Sequence, residues 1–161
     1  MTSSRIPDPT EHSRWRPLRL LQAGMDAEIA RLYAEAQIRG LKPSFVSELL
    51  RLHARGPMTI AELARSVGRT HSALSQKVAA MRAAGWLATT PGRDARSKRV
   101  ALTPKAERVA ALLAAEWRAT EAAITELEAE LPYPLTRVTE DIRAALARKS
   151  FHARVSEHLA P

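Results

Sequence analysis

The chain has no cysteine, which removes disulfide frameworks, thiolate zinc sites and thiol-based redox sensing. It is also poor in aromatic residues, at 4%, and in glycine, with six. No apolar run approaches membrane-spanning length, and the opening MTSSRIPDPTEHSRWRP lacks the apolar stretch of a secretory signal. A cytoplasmic protein is the expectation. What remains is a chain of 161 residues, 45% hydrophobic, rich in Ala and Leu, which hold helices at little entropic cost. That length suits one domain with a real core.

The formal net charge is +8, and its placement carries more than its size. Residues 65–108 hold ten Lys and Arg against Asp94 and Glu107, while the remainder balances fifteen basic against fifteen acidic residues. The whole excess sits in about a quarter of the chain, the footprint expected of a surface for a polyanion such as DNA.

Pro7, Pro9 and Pro17 suggest an extended or mobile arm over residues 1–17. Leu18, Leu21, Met25, Ile29, Leu32 and Ala36 then recur at helical spacing, with a stop near Arg39-Gly40. A second helix opens at Pro43 and ends at Gly56-Pro57. Thr59 followed by Glu62 has the spacing of a capping box, and predicts a short helix over 60–67. Gly68 breaks it, and Thr70 caps another helix running to about Ala84. Two short helices joined by a tight glycine turn form a helix-turn-helix.

After Gly85 the period shortens. Residues 86–90 and 99–103 read as strands, with the charged, turn-rich segment 91–98 between them as a hairpin wing. Thr103-Pro104 opens a long helix carrying Val109, Leu113, Trp117, Thr120, Ile124, Leu127 and Leu131. After Leu131-Pro132-Tyr133-Pro134 a last helix carries Leu135, Val138, Ile142 and Leu146, and is expected to continue to Leu159. The fold class is mainly α with a small β-hairpin wing. Residues 41–103 form the winged helix-turn-helix lobe, and 18–40 and 104–159 supply dimerisation helices, whose apolar stripes exceed what so small a lobe can cover.

On a helical wheel Leu74, Val78 and Met81 face inward, which leaves Ser72, Ser75, Gln76, Ala79 and Ala83 opposite, flanked by His71 and Lys77. Small and polar residues let a helix enter the major groove closely. Gln76 suits adenine edges, the serines a base or phosphate, and Lys77 guanine or phosphate. In the wing, Asp94 pairing with Arg96 would orient the guanidinium for a narrow minor groove.

The run MTIAELARSVGRTHSALSQKVAAMRAAGWLATTPGRDARSKRVALTPKAERV resembles the winged helix-turn-helix of the multiple antibiotic resistance regulator (MarR) family. The signatures are A-E-L-A-R, T-H-S-A-L-S-Q, A-G-W-L and D-A-R-S-K-R-V-A-L-T-P-K. The resemblance implies a homodimer with interlocked terminal helices, bound to double-stranded DNA through two major grooves and the flanking minor grooves. The expected DNA contacts are Thr59, Thr70, His71, Ser72, Ser75, Gln76, Lys77, Arg93, Arg96, Lys98 and Arg99, with Asp94 orienting the wing. It also implies a repressor released by a small aromatic or anionic effector, for which Trp15, Tyr33, His53 and Trp117 are the candidates. No cofactor is expected. The five histidines show no metal-ligand spacing. Nothing offers a nucleophile–base pair or a phosphate-binding glycine loop, so an enzyme is not expected. A non-specific architectural DNA binder is the competing class, separable by its lack of preference for one sequence.

Overall fold

A computed structural model describes residues 8–91 and 98–159. The chain divides into two compact units, Met1–Leu113 and Ala114–Pro161.

In the first unit residues 8–17 of the expected arm are structured. The Asp8 carboxylate accepts the Thr10 backbone N–H and hydroxyl at 2.8 Å each and caps a 3-10 turn over Pro9–His12. Helix α1 (Arg16–Glu35) follows, with Pro17 in its first turn, where no N–H is needed. It stops before Arg39-Gly40 because Gln37 turns left-handed (φ 57°) and the Ile38 N–H donates to the Tyr33 carbonyl at 2.8 Å. That closure carries Ile38 and Leu41 into the core.

A 3-10 turn over Pro43–Phe45 leads into α2 (Val46–Arg55), which Gly56 ends at φ 76°. Next come α3 (Ile60–Ser66) and α4 (His71–Ala83). Strands β1 (Leu87–Pro91) and β2 (Lys98–Leu102) pair antiparallel, with Leu87 opposite Leu102 and Thr89 opposite Val100. Met58 adds a bridge on the outer side of β2. It exchanges backbone hydrogen bonds with Val100 at 3.1 and 2.8 Å, which ties the entrance of α3 to the hairpin.

Thr103 joins the hairpin to α5 (Pro104–Ala129). Its hydroxyl donates to the Gly85 carbonyl at 2.8 Å and accepts the Ala106 N–H at 3.3 Å. The core collects Leu49, Leu52, Leu63, Leu74, Met81 and Leu113, all buried. Trp86 lies at its edge, fully buried and just ahead of the strand it was expected to begin. Its indole N–H donates to the Gly40 carbonyl at 2.9 Å, and the Lys105 ammonium sits 3.8 Å from its ring centre.

In the second unit the expected single terminal helix is two, α6 (Leu135–Arg148) and α7 (Phe151–Leu159). Lys149 is extended, and the Ser150 hydroxyl accepts the Ala153 N–H at 3.1 Å, a cap that starts a new helix. No described residue of α6 or α7 is buried; Phe151 is 66% and Leu159 77% exposed.

Candidate nucleic-acid interface

The interface begins with the cap of α3. The Thr59 N–H donates to Glu62 Oε2 at 2.8 Å, and the Glu62 N–H donates back to the Thr59 hydroxyl at 3.2 Å. That hydroxyl also donates to Glu62 at 3.0 Å, so Thr59 serves as a cap. The Thr59 backbone N–H, then its hydroxyl, hold the Glu62 carboxyl below the ordinary carboxylate range, with Arg99 adding to the effect. A carboxyl lowered by folding stabilises the native state above its unfolded pKa, and that stability is lost as pH falls through the folded pKa. Unfolding midpoints measured from neutral to acid pH should therefore fall less steeply in Glu62→Gln than in the wild type. Parallel curves would remove this role for Glu62.

Gly68 (φ 65°) makes the turn that a β-carbon would strain, and the Thr70 hydroxyl accepts the Ala73 N–H at 3.3 Å to start α4. Leu74, Val78 and Met81 face the core, as the wheel predicts. His71, Ser72, Gln76, Ala79 and Ala83 are exposed, and Ser75 is half-buried.

Lys77 is where the structure departs from the sequence reading. Its side chain is 13% exposed and its ammonium donates to both oxygens of Glu48 at 2.7 Å. Lys77 lies one turn from both Leu74 and Met81, on the inward stripe, so it points back to α2 and not out to a base. Glu48 is fully buried and also accepts the Ser47 hydroxyl at 2.9 Å; Arg69 lies 3.6 Å away. Sequence reasoning missed Glu48, although it stands between Phe45 and Leu52 on the buried face of α2.

Other cations are also spent within the fold. Arg99 is half-buried and pairs with Glu62 at 3.2 Å, so it is committed to α3 and not held out for phosphate. Lys105 stacks on Trp86 and donates to the Ala84 carbonyl at 3.2 Å. Lys98 is exposed at the start of β2. Arg93, Asp94 and Arg96 lie outside the described residues. Arg55, Arg65 and Arg99 surround Glu62 on a concavity of about 490 Å³ beside α3. The surface charge is thus smaller than the raw count, but it stays positive around the helix-turn-helix.

Residues 39–97, the lobe from the end of α1 to the hairpin, match the sequence profile of the MarR family. Over that stretch the chain carries a MarR-type winged helix-turn-helix. With that lobe the chain is a DNA-binding transcriptional regulator of winged-helix fold; members of the MarR family are transcription factors and not enzymes.

Three solved structures share the MarR fold with this chain. The Mycobacterium tuberculosis transcriptional regulator MOSR, in complex with DNA, is 26% identical, with a TM-score of 0.58 over 85% of this chain and 98% of its own. The Staphylococcus aureus MepR–DNA complex is 14% identical, with a TM-score of 0.60 over 84% and 97%. The heme sensor PefR of Streptococcus agalactiae, bound to heme, is 19% identical, with a TM-score of 0.57 over 88% and 97%. No curated protein sequence matches the chain.

The four residues expected to meet an effector do not form one site within the first unit. Tyr33 is buried and lines a concavity of about 480 Å³ with Ala30, Ala34, Gln37, Ile38 and Leu41, and neither Trp15 nor His53 is among its lining residues. Trp15 is exposed, and His53 Nδ1 lies 2.9 Å from a Glu107 carboxylate oxygen. Trp117 belongs to the second unit and is exposed. Among the described residues no cluster of His, Asp and Glu could hold a metal ion, and no helix is long and apolar enough to cross a membrane.

Proposed function

We propose that this MarR-type regulator is a homodimeric repressor of the cytoplasm and nucleoid. It binds an inverted-repeat operator, and a small aromatic or anionic effector releases it. Helix α4 enters the major groove and the hairpin reaches the flanking minor groove. One observation carries this reading: α4 buries Leu74, Val78 and Met81 while exposing His71, Ser72 and Gln76 on one small, polar face. That is the division a groove-reading helix requires. The DNA complexes of the MOSR and MepR relatives and the heme complex of PefR support the partner classes.

Dimerisation is supported by apolar surface on each unit. Leu20, Leu21 and Leu32 of α1 are each more than half exposed, and Phe151, Val155 and Leu159 of α7 are exposed as well. Side chains of this kind in such number call for a partner surface.

Footprinting on the DNA upstream of the gene should show two symmetric half-sites about one helical turn apart; one asymmetric half-site would refute the proposal. Gln76→Ala should relax preference at one base position by about 1–3 kcal/mol, read by comparing single-base operator variants. A uniform loss over all sequences would make Gln76 a phosphate contact.

A further inference from the structure

The buried cluster behind α4 carries two cations for one carboxylate. Lys77 satisfies Glu48 with two bonds of 2.7 Å and Ser47 adds one of 2.9 Å. Arg69 stands farther off at 3.6 Å, a distance of charge attraction and not of hydrogen bonding. Its side chain is 51% exposed, while the Glu48 it faces is fully buried. Among the described residues no hydrogen bond uses the Arg69 guanidinium; its Nε faces Glu48 as an ion pair, which leaves its two terminal amino groups for another acceptor.

The backbone of Arg69 is fixed. Its N–H donates to the Ala64 carbonyl at 2.9 Å, and it lies between Gly68 and Thr70, the N-cap of α4. The cluster therefore leaves one positive charge unneutralised, at the surface, at the entrance of the helix proposed to read DNA.

We infer that Arg69, restrained beside the N-terminus of α4 by its attraction to the buried Glu48 carboxylate of α2, is a further DNA-binding residue that takes a backbone phosphate, and that Glu48 is its positioning residue. A guanidinium with unspent planar donors matches phosphate oxygens. A distant buried counter-charge restrains it without consuming those donors. The contact is sequence-independent, because phosphates carry no base information. This rests on the groove reading of α4 proposed above.

The test uses the full chain, with two probes: duplex from upstream of the gene, and random-sequence duplex of equal length. Arg69→Ala should weaken binding to both alike, by about tenfold, and lower the slope of log affinity against log salt by about 1. Arg69→Lys, which keeps the charge, should restore most of that slope. Glu48→Met with Lys77→Met removes the tether as a volume-conserving pair, and in that background Arg69→Ala should cost clearly less. An unchanged slope in Arg69→Ala overturns the inference, and an equal cost in both backgrounds overturns the role of Glu48. A lowered slope in Arg69→Ala, with a wild-type chain that shows no preference for the upstream duplex over the random one, would instead overturn the groove reading and leave Arg69 as a phosphate contact. A wild-type chain that bound neither duplex would overturn both.

Discussion

Lys77→Met should destabilise the chain by about 3–5 kcal/mol, because it leaves a carboxylate buried without its partner. Glu48 has 0% exposure and a short stem, so it cannot reach water once the ammonium is gone. Arg69, 3.6 Å from one oxygen, replaces little of what two bonds of 2.7 Å supplied. The reverse change, Glu48→Met, should cost less, because a lysine on a four-carbon stem can swing its head toward solvent. The double variant should recover most of the loss, since buried ion pairs replaced by apolar side chains of similar volume are often neutral or better. Urea denaturation of the three variants checks this. Additive losses in the double variant would mean that the two residues act independently.

Trp86→Ala should cost a comparable amount, about 3–5 kcal/mol, for a different reason. The indole fills the corner between the end of α4, the hairpin and the start of α5. It also ties down the segment after α1 through its bond to the Gly40 carbonyl, and gives Lys105 a face on which to rest its charge. Trp86→Phe separates these effects. It keeps most of the volume and loses the indole N–H bond, so about 1 kcal/mol should go. The shift in urea midpoint measures both, and equal losses for Phe and Ala would show that the hydrogen bond, not the filled volume, dominates.

Local features were legible in the sequence. The reciprocal bonds of Thr59 and Glu62, the left-handed Gly68, the cap at Thr70 and the division of α4 into Leu74, Val78 and Met81 against Ser72 and Gln76 all follow from spacing within a few residues. Counting charge worked less well. A charge count puts Lys77, Arg99 and Lys105 in the basic footprint, yet each finds a partner in the first unit: Glu48, Glu62 and Trp86. Glu48 and Lys77 lie 29 residues apart. Their helical stripes put both inward, but only packing shows that they meet. The break between α6 and α7 has no proline or glycine to announce it, only Ser150 acting as a cap. Gln37 likewise takes a left-handed turn three residues ahead of Gly40, which no local spacing announces.

The Met58–Val100 bridge, with Arg99 pinned to Glu62 beside it, makes the first helix of the motif and the root of the hairpin one rigid piece. A clamp with a fixed gauge cannot adjust to what it grips. On the proposed reading the duplex must supply the adjustment, so operators should differ in affinity through the stiffness of base pairs that no side chain touches.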